Sequence, residues 1–79
     1  MTELLALIAA ALKLPPVSIE PGTSMKNTPA WDSLAHMELI IGIEERYRVV
    51  LDADEIADMT SVASIIGQLA KRGLVDDAA

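Results

Sequence analysis

Apolar residues recur with helical period in three stretches of the chain, and polar, proline-bearing or acidic segments separate them. In the first stretch Leu4, Leu5, Ile8 and Leu12 form a single stripe. Thr2 is placed to cap this helix. Leu14-Pro15-Pro16 ends it near Lys13, because proline offers no amide hydrogen to the ladder. The second helix is predicted from Ser33 to about Arg48. The last is capped by Ser61 or Thr60, carries Val62, Ile65, Ile66 and Leu69 at helical spacing, and closes on Lys71, Arg72 and Gly73. Acidic Asp52 to Asp58 reads as one short helix or turn. No two-residue alternation marks a strand. The predicted fold is therefore all-α: a small four-helix bundle, three longer helices plus one short, forming a single domain over residues 1–79.

The first and second helices are joined by a long loop, residues 14–32, which holds all four prolines together with Gly22 and several Ser, Thr and Asn. Loops this long are uncommon in compact domains and often carry function. Val17, Ile19 and Met25 are the residues expected to pin it to the core.

The second helix has more apolar surface than a bundle requires. With Ser33 at zero and a step of about 100° per residue, Leu39, Ile40, Ile43 and Tyr47 fall between roughly 240° and 340°. That arc is a core face. Leu34, Met37 and Ile41 fall between roughly 40° and 100°, flanked by Glu38, Glu44 and Glu45. Either the bundle wraps this helix on both sides, or the second ridge is a docking surface whose apolar residues supply contact area and whose acids orient basic partners. Gly42, in mid-helix, costs about 1 kcal/mol relative to alanine, and close packing is the expected reason for it.

Composition narrows the chemistry. With 52% hydrophobic residues but only Trp31 and Tyr47 as aromatics, the core is built from aliphatic side chains. The absence of cysteine excludes disulfides and thiolate-bound metal, and one histidine cannot support a multi-histidine site, so no metal site is expected. The formal net charge is −6. Its excess lies between Asp32 and Asp58, where eight acids face two bases, Arg46 and Arg48. This distribution argues against nucleic acid as a partner and favours proteins with basic surfaces. The longest apolar run, Leu4 to Leu12, is too short to span a membrane and lacks the basic start of an export signal. A monomer in the cytoplasm is the expectation.

Asp32-Ser33 stands where the loop becomes a helix. Ser33 is a candidate N-cap, its hydroxyl accepting an N–H of the first turn. The same position suits a phosphate ester, because a helix start presents free N–H groups and the positive end of a dipole. A catalytic role for Ser33 with His36 has little support. A nucleophilic serine needs an oriented base and an oxyanion hole, and no G-x-S-x-G elbow is present.

Taken together, Asp32-Ser33-Leu34 at a helix start after a proline-bearing loop, Glu38-Leu39 a turn later, Glu44-Glu45, and the acidic segment before Thr60-Ser61-Val62 resemble the acyl carrier protein family. The resemblance covers nearly the whole chain and is densest from Trp31 to Leu69. It implies that Ser33 carries 4′-phosphopantetheine, transferred from coenzyme A by a phosphopantetheinyl transferase that Asp32 assists. It also implies an arm ending in a thiol that holds acyl or aminoacyl groups as thioesters, on a protein that is not itself an enzyme. The implied partners are a loading ligase or transferase and synthase or condensing enzymes with basic docking surfaces. Leu34, Met37, Glu38, Ile41, Glu44 and Glu45 would meet them. Trp31 before the aspartate, Ala35, and arginine at positions 46 and 48 depart from many fatty-acid carriers. W-D-S-L followed by E-E-R-Y is more similar to discrete carriers of specialised assembly, such as polyketide formation. The alternative reading is a non-covalent acidic helical interaction module.

Overall fold

The computed structural model of the chain describes residues 2–75, and the proposed cap from the Thr2 side chain lies outside the described residues. Helix α1 spans Thr2–Leu12, α2 Ser33–Tyr47, α3 Ala53–Asp58 and α4 Val62–Lys71, with a short 3-10 turn at Pro16–Ser18. The all-α expectation of three longer helices and one short one is met.

Each longer helix stops in the same way. Lys13, Arg48 and Gly73 adopt positive φ of 59°, 55° and 73° after α1, α2 and α4. In each case the next amide reaches back to a carbonyl of the last turn: Leu14 N–H to Ala9 at 3.0 Å, Val49 to Glu44 at 3.2 Å, Leu74 to Leu69 at 3.0 Å. These left-handed caps satisfy carbonyls that the helix itself leaves open. Only Gly73 does so without steric cost. The side chains of Lys13 and Arg48 are held in a backbone region that glycine occupies more readily.

The core gathers Leu4, Ile8 and Leu12 of α1, Leu39, Ile40 and Ile43 of α2, and Val62, Ile65 and Leu69 of α4. Leu51 and Met59, flanking α3, complete it together with Ile19 and Trp31 from the long loop. The 240–340° arc of α2 is thus the core face, as its periodicity predicts. At Gly42 an added methyl would meet Leu7 of α1 at 3.4 Å, an ordinary van der Waals contact. The helices approach each other there, but not so tightly that glycine is required.

The long loop is not structureless. It docks on the start of α4 through Met25 N–H to Thr60 C=O and Val62 N–H to Thr23 C=O, both 2.9 Å, and Ala63 N–H to Pro21 C=O at 3.2 Å. Ile19 is buried and Met25 half-buried, as expected of pins. Val17 is not a pin, being 89% exposed. It sits inside the 3-10 turn, where residues two apart point in different directions, and Ile19 takes the inward one.

Candidate functional site

The start of α2 is built from the loop inward. Trp31 N–H donates to Thr28 C=O at 2.9 Å, closing a turn that delivers Asp32 in an extended conformation. Asp32 Oδ1 then accepts from Ala35 N–H at 2.9 Å, and its carbonyl accepts the first helical bond, from His36 N–H, at 2.9 Å. Asp32 is therefore the N-cap, and Ser33 is the first residue of the helix. This corrects the expectation that Ser33 caps. Both residue types can fill the slot, and the one whose backbone is still extended takes it. Ser33 is consequently released from any capping duty. It is exposed, and among the described residues its hydroxyl makes no hydrogen bond, nor do the amides of Ser33 and Leu34.

His36 lies one turn in and is buried. Trp31 Nε1–H donates to His36 Nδ1 at 3.0 Å, and His36 Nε2 lies 3.0 Å from the Ile56 carbonyl. Indole can only donate, so Nδ1 accepts and Nε2 carries the hydrogen that Ile56 receives. The two rings lie 6.1 Å apart. Both ring nitrogens are thus committed, so His36 is not available as a base for Ser33. The bridge between the loop, α2 and α3 is not evident from the local sequence pattern. The burial of His36 does leave a signal: at about 300° on the helical wheel, it falls inside the core arc.

The second ridge faces outward. Leu34 is 70% exposed, and Met37 and Ile41 are 50% exposed each. Glu38 and Glu45 are exposed beside them. Glu44 differs. It is half-buried, and its Oε2 accepts from Leu51 N–H at 2.9 Å, so that it braces the turn leading to α3. Arg46 pairs with Glu3 of α1. Beside that pair, burial pushes the Tyr47 phenol up, with a smaller push from Glu3.

Bordering that ridge at Leu34 and Glu38, a groove of about 370 Å³ runs between the end of α1 and the start of α2. Ala11, Leu12, Lys13 and Leu14 form one wall, and Ala30, Asp32, Leu34, Ala35 and Glu38 the other.

The chain matches the phosphopantetheine attachment site family over residues 2–69. It is also 32% identical over 72 residues to an acyl carrier protein of Streptomyces coelicolor, an alignment covering 90% of this chain and 78% of that protein. The chain belongs to the acyl carrier protein family. Acyl carrier proteins are carriers rather than catalysts, and the matched region is the site where 4′-phosphopantetheine is covalently attached in them. Their role requires a phosphopantetheinyl transferase and biosynthetic enzymes as partners. The start of α2 fits the group: an exposed hydroxyl with no internal partner, two free amides beside it, and a groove alongside. Among the described residues no helix is long and apolar enough to cross a membrane.

Proposed function

We propose that Ser33 is the attachment point of 4′-phosphopantetheine and that the outward ridge of α2 is where partner enzymes dock. The observation that carries this reading is the release of Ser33 from capping. Of the two cap-competent residues, Asp32 holds the helix and the serine hydroxyl is left at the surface. A phosphodiester there lies against the free amides of the first turn and the positive end of the α2 dipole. Asp32 stands beside the hydroxyl, where the transferase would use it. When attached, the arm supplies the thiol that this cysteine-free chain lacks and holds an acyl or aminoacyl group as a thioester.

Leu34, Met37 and Ile41 offer apolar contact, and Glu38 and Glu45 offer exposed charge to basic surfaces of loading and condensing enzymes. Glu44 belongs to this surface only through whatever part of its carboxylate the Leu51 amide leaves open. The departures at Trp31, Ala35, Arg46 and Arg48 support service in a specialised pathway, such as polyketide assembly, over bulk fatty-acid synthesis.

Co-expression with a broad-specificity phosphopantetheinyl transferase, followed by intact-mass measurement, tests the attachment. The wild-type chain is expected to gain the mass of the arm and Ser33→Ala to gain nothing. An unmodified wild-type chain, or equal modification of Ser33→Ala, would refute it. For docking, Glu38→Lys and Glu45→Lys are expected to weaken binding to a cognate synthase while leaving the unfolding midpoint in place.

A further inference from the structure

Resting on the reading of Ser33 as the attachment point, we propose that the groove between the end of α1 and the start of α2 seats the phosphopantetheine arm, with Lys13 meeting its phosphodiester. The groove's position carries the argument. Asp32 and Leu34, the residues on either side of Ser33, both line it while Ser33 itself does not, so a group bonded to Ser33 starts just outside the groove and can turn into it. Its volume of about 370 Å³ falls within the roughly 300–1,000 Å³ typical of small-molecule sites. Its wall of Ala11, Leu14 and Leu34 is apolar, which suits the two methyl groups of the pantetheine portion, while the groove's open side leaves its hydroxyl and amides to water.

Lys13 is the only cation of the lining, among acids at positions 32 and 38. Among the described residues it forms no salt bridge and its side chain makes no hydrogen bond. It also holds a φ of 59°, a conformation that favours glycine, so the position retains a long cationic side chain at a backbone cost. A phosphodiester anchored one residue from Asp32 supplies the negative partner that Lys13 lacks among the described residues. The arm would then rest on the α1 side of α2, opposite the His36–Ile56 bridge to α3, and its thiol end would emerge from the groove toward a docked enzyme.

Amide and methyl NMR spectra of the unmodified and phosphopantetheinylated full chain test this, with intact mass establishing modification first. Modification is expected to shift Ala11, Lys13 and Leu14 as strongly as Leu34 and Ala35, and to give cross-relaxation between the pantetheine methyls and the Leu14 methyls. Lys13→Gly suits the left-handed backbone and keeps the fold. In its modified form the shifts at Ala11 and Leu14 are expected to fall at least twofold, with shifts around Ser33 retained. Shifts confined to residues 32–36, or appearing instead at Ile56 and Met59, would overturn the proposal, as would a modified Lys13→Gly chain indistinguishable from wild type. Failure of the mass gain itself would strike the assignment of Ser33 instead, so the two outcomes are separable.

Discussion

Helices α2 and α3 are held in place by different forces. Of the fifteen residues of α2, five are buried, and Leu39, Ile40 and Ile43 reach the centre of the core. The six residues of α3 include none that is buried, and Ile56 only leans on the core. Beyond the buried Leu51 and Met59 at its two ends, what keeps α3 in place is polar. Asp52 and Glu55 form a capping box at its start, Arg72 of the α4 end grips both the Glu55 carboxylate and the Val50 carbonyl, Gln68 bonds Asp58, and His36 bonds Ile56. Apolar burial is non-directional and scales with area, whereas hydrogen bonds contribute little net but cost much when one partner is removed. Helix α2 is therefore a fixed platform for the Ser33 site. Helix α3 is a segment whose position depends on a few named atoms.

The sharpest way to break the contrast lies within α2 itself. Leu39→Ala and Ile43→Ala each remove a fully buried side chain and are expected to cost about 2–5 kcal/mol. Met37→Ala and Ile41→Ala, at half exposure on the outward ridge, are expected to cost under about 1 kcal/mol. Urea titration of the four variants measures the difference. Comparable losses on both faces would mean that the ridge is core, leaving no surface for partners.

Next in size is the link between the two helices. Trp31→Phe keeps an apolar ring but removes the donor to His36 Nδ1, leaving a buried acceptor unpaired. The expected cost is about 1–3 kcal/mol by denaturant titration followed by circular dichroism. A neutral result would show that His36 finds another partner and that the bridge to Ile56 does not depend on Trp31.

How much of this could be read beforehand follows the same division. The core face and outward ridge of α2 were legible because helical period alone places Leu39 and Met37 on different sides. The Ser61 cap was legible because a small hydroxyl residue stands just before a periodic run. The start of α2 at Ser33 was legible, but its cap was placed one residue late, since two adjacent residues can both cap and only backbone conformation chooses between them. The features that hold α3 were invisible. Arg72 and Glu55 are seventeen residues apart, His36 and Ile56 twenty, and nothing in a local pattern pairs them. The groove beside Ser33 was equally hidden, because its walls come from helices separated by the entire loop.

A smaller effect tests how far α3 depends on its cap. Asp52→Ala deletes the acceptor for Glu55 N–H, a bond of 2.8 Å, and Asp32→Ala deletes the equivalent acceptor for Ala35 N–H at the start of α2. Each is expected to cost about 1 kcal/mol, within the range for cap loss. Their local consequences should differ. Hydrogen exchange is expected to quicken throughout residues 53–58 in Asp52→Ala, because none of these residues is buried and the helix loosens once its first turn does. In Asp32→Ala the faster exchange should stop within the first turn, while the amides around Leu39 and Ile43 stay protected.

The least disruptive test uses pH. The hydrogen bond from Arg72 holds the Glu55 carboxyl below its ordinary value, and the Asp52 amide adds to the effect. A carboxyl with a lowered folded pKa binds fewer protons in the folded chain than in the unfolded one over the interval between the two values, so stability rises with pH there. Its contribution is complete above the unfolded value of about 4.3 and disappears as pH falls through the lower folded value. Glu55→Gln retains an oxygen for the Asp52 amide but removes the charge. The stability difference between wild type and Glu55→Gln should accordingly be constant from neutral pH down to about 5 and then shrink through the acid range. The amides of residues 53–58 should report it more strongly than those of α2. A difference that persisted unchanged at acid pH would mean that the Arg72 grip works through shape rather than charge. In that case α3, like α2, would be held by packing, and the contrast between the two helices would be one of degree.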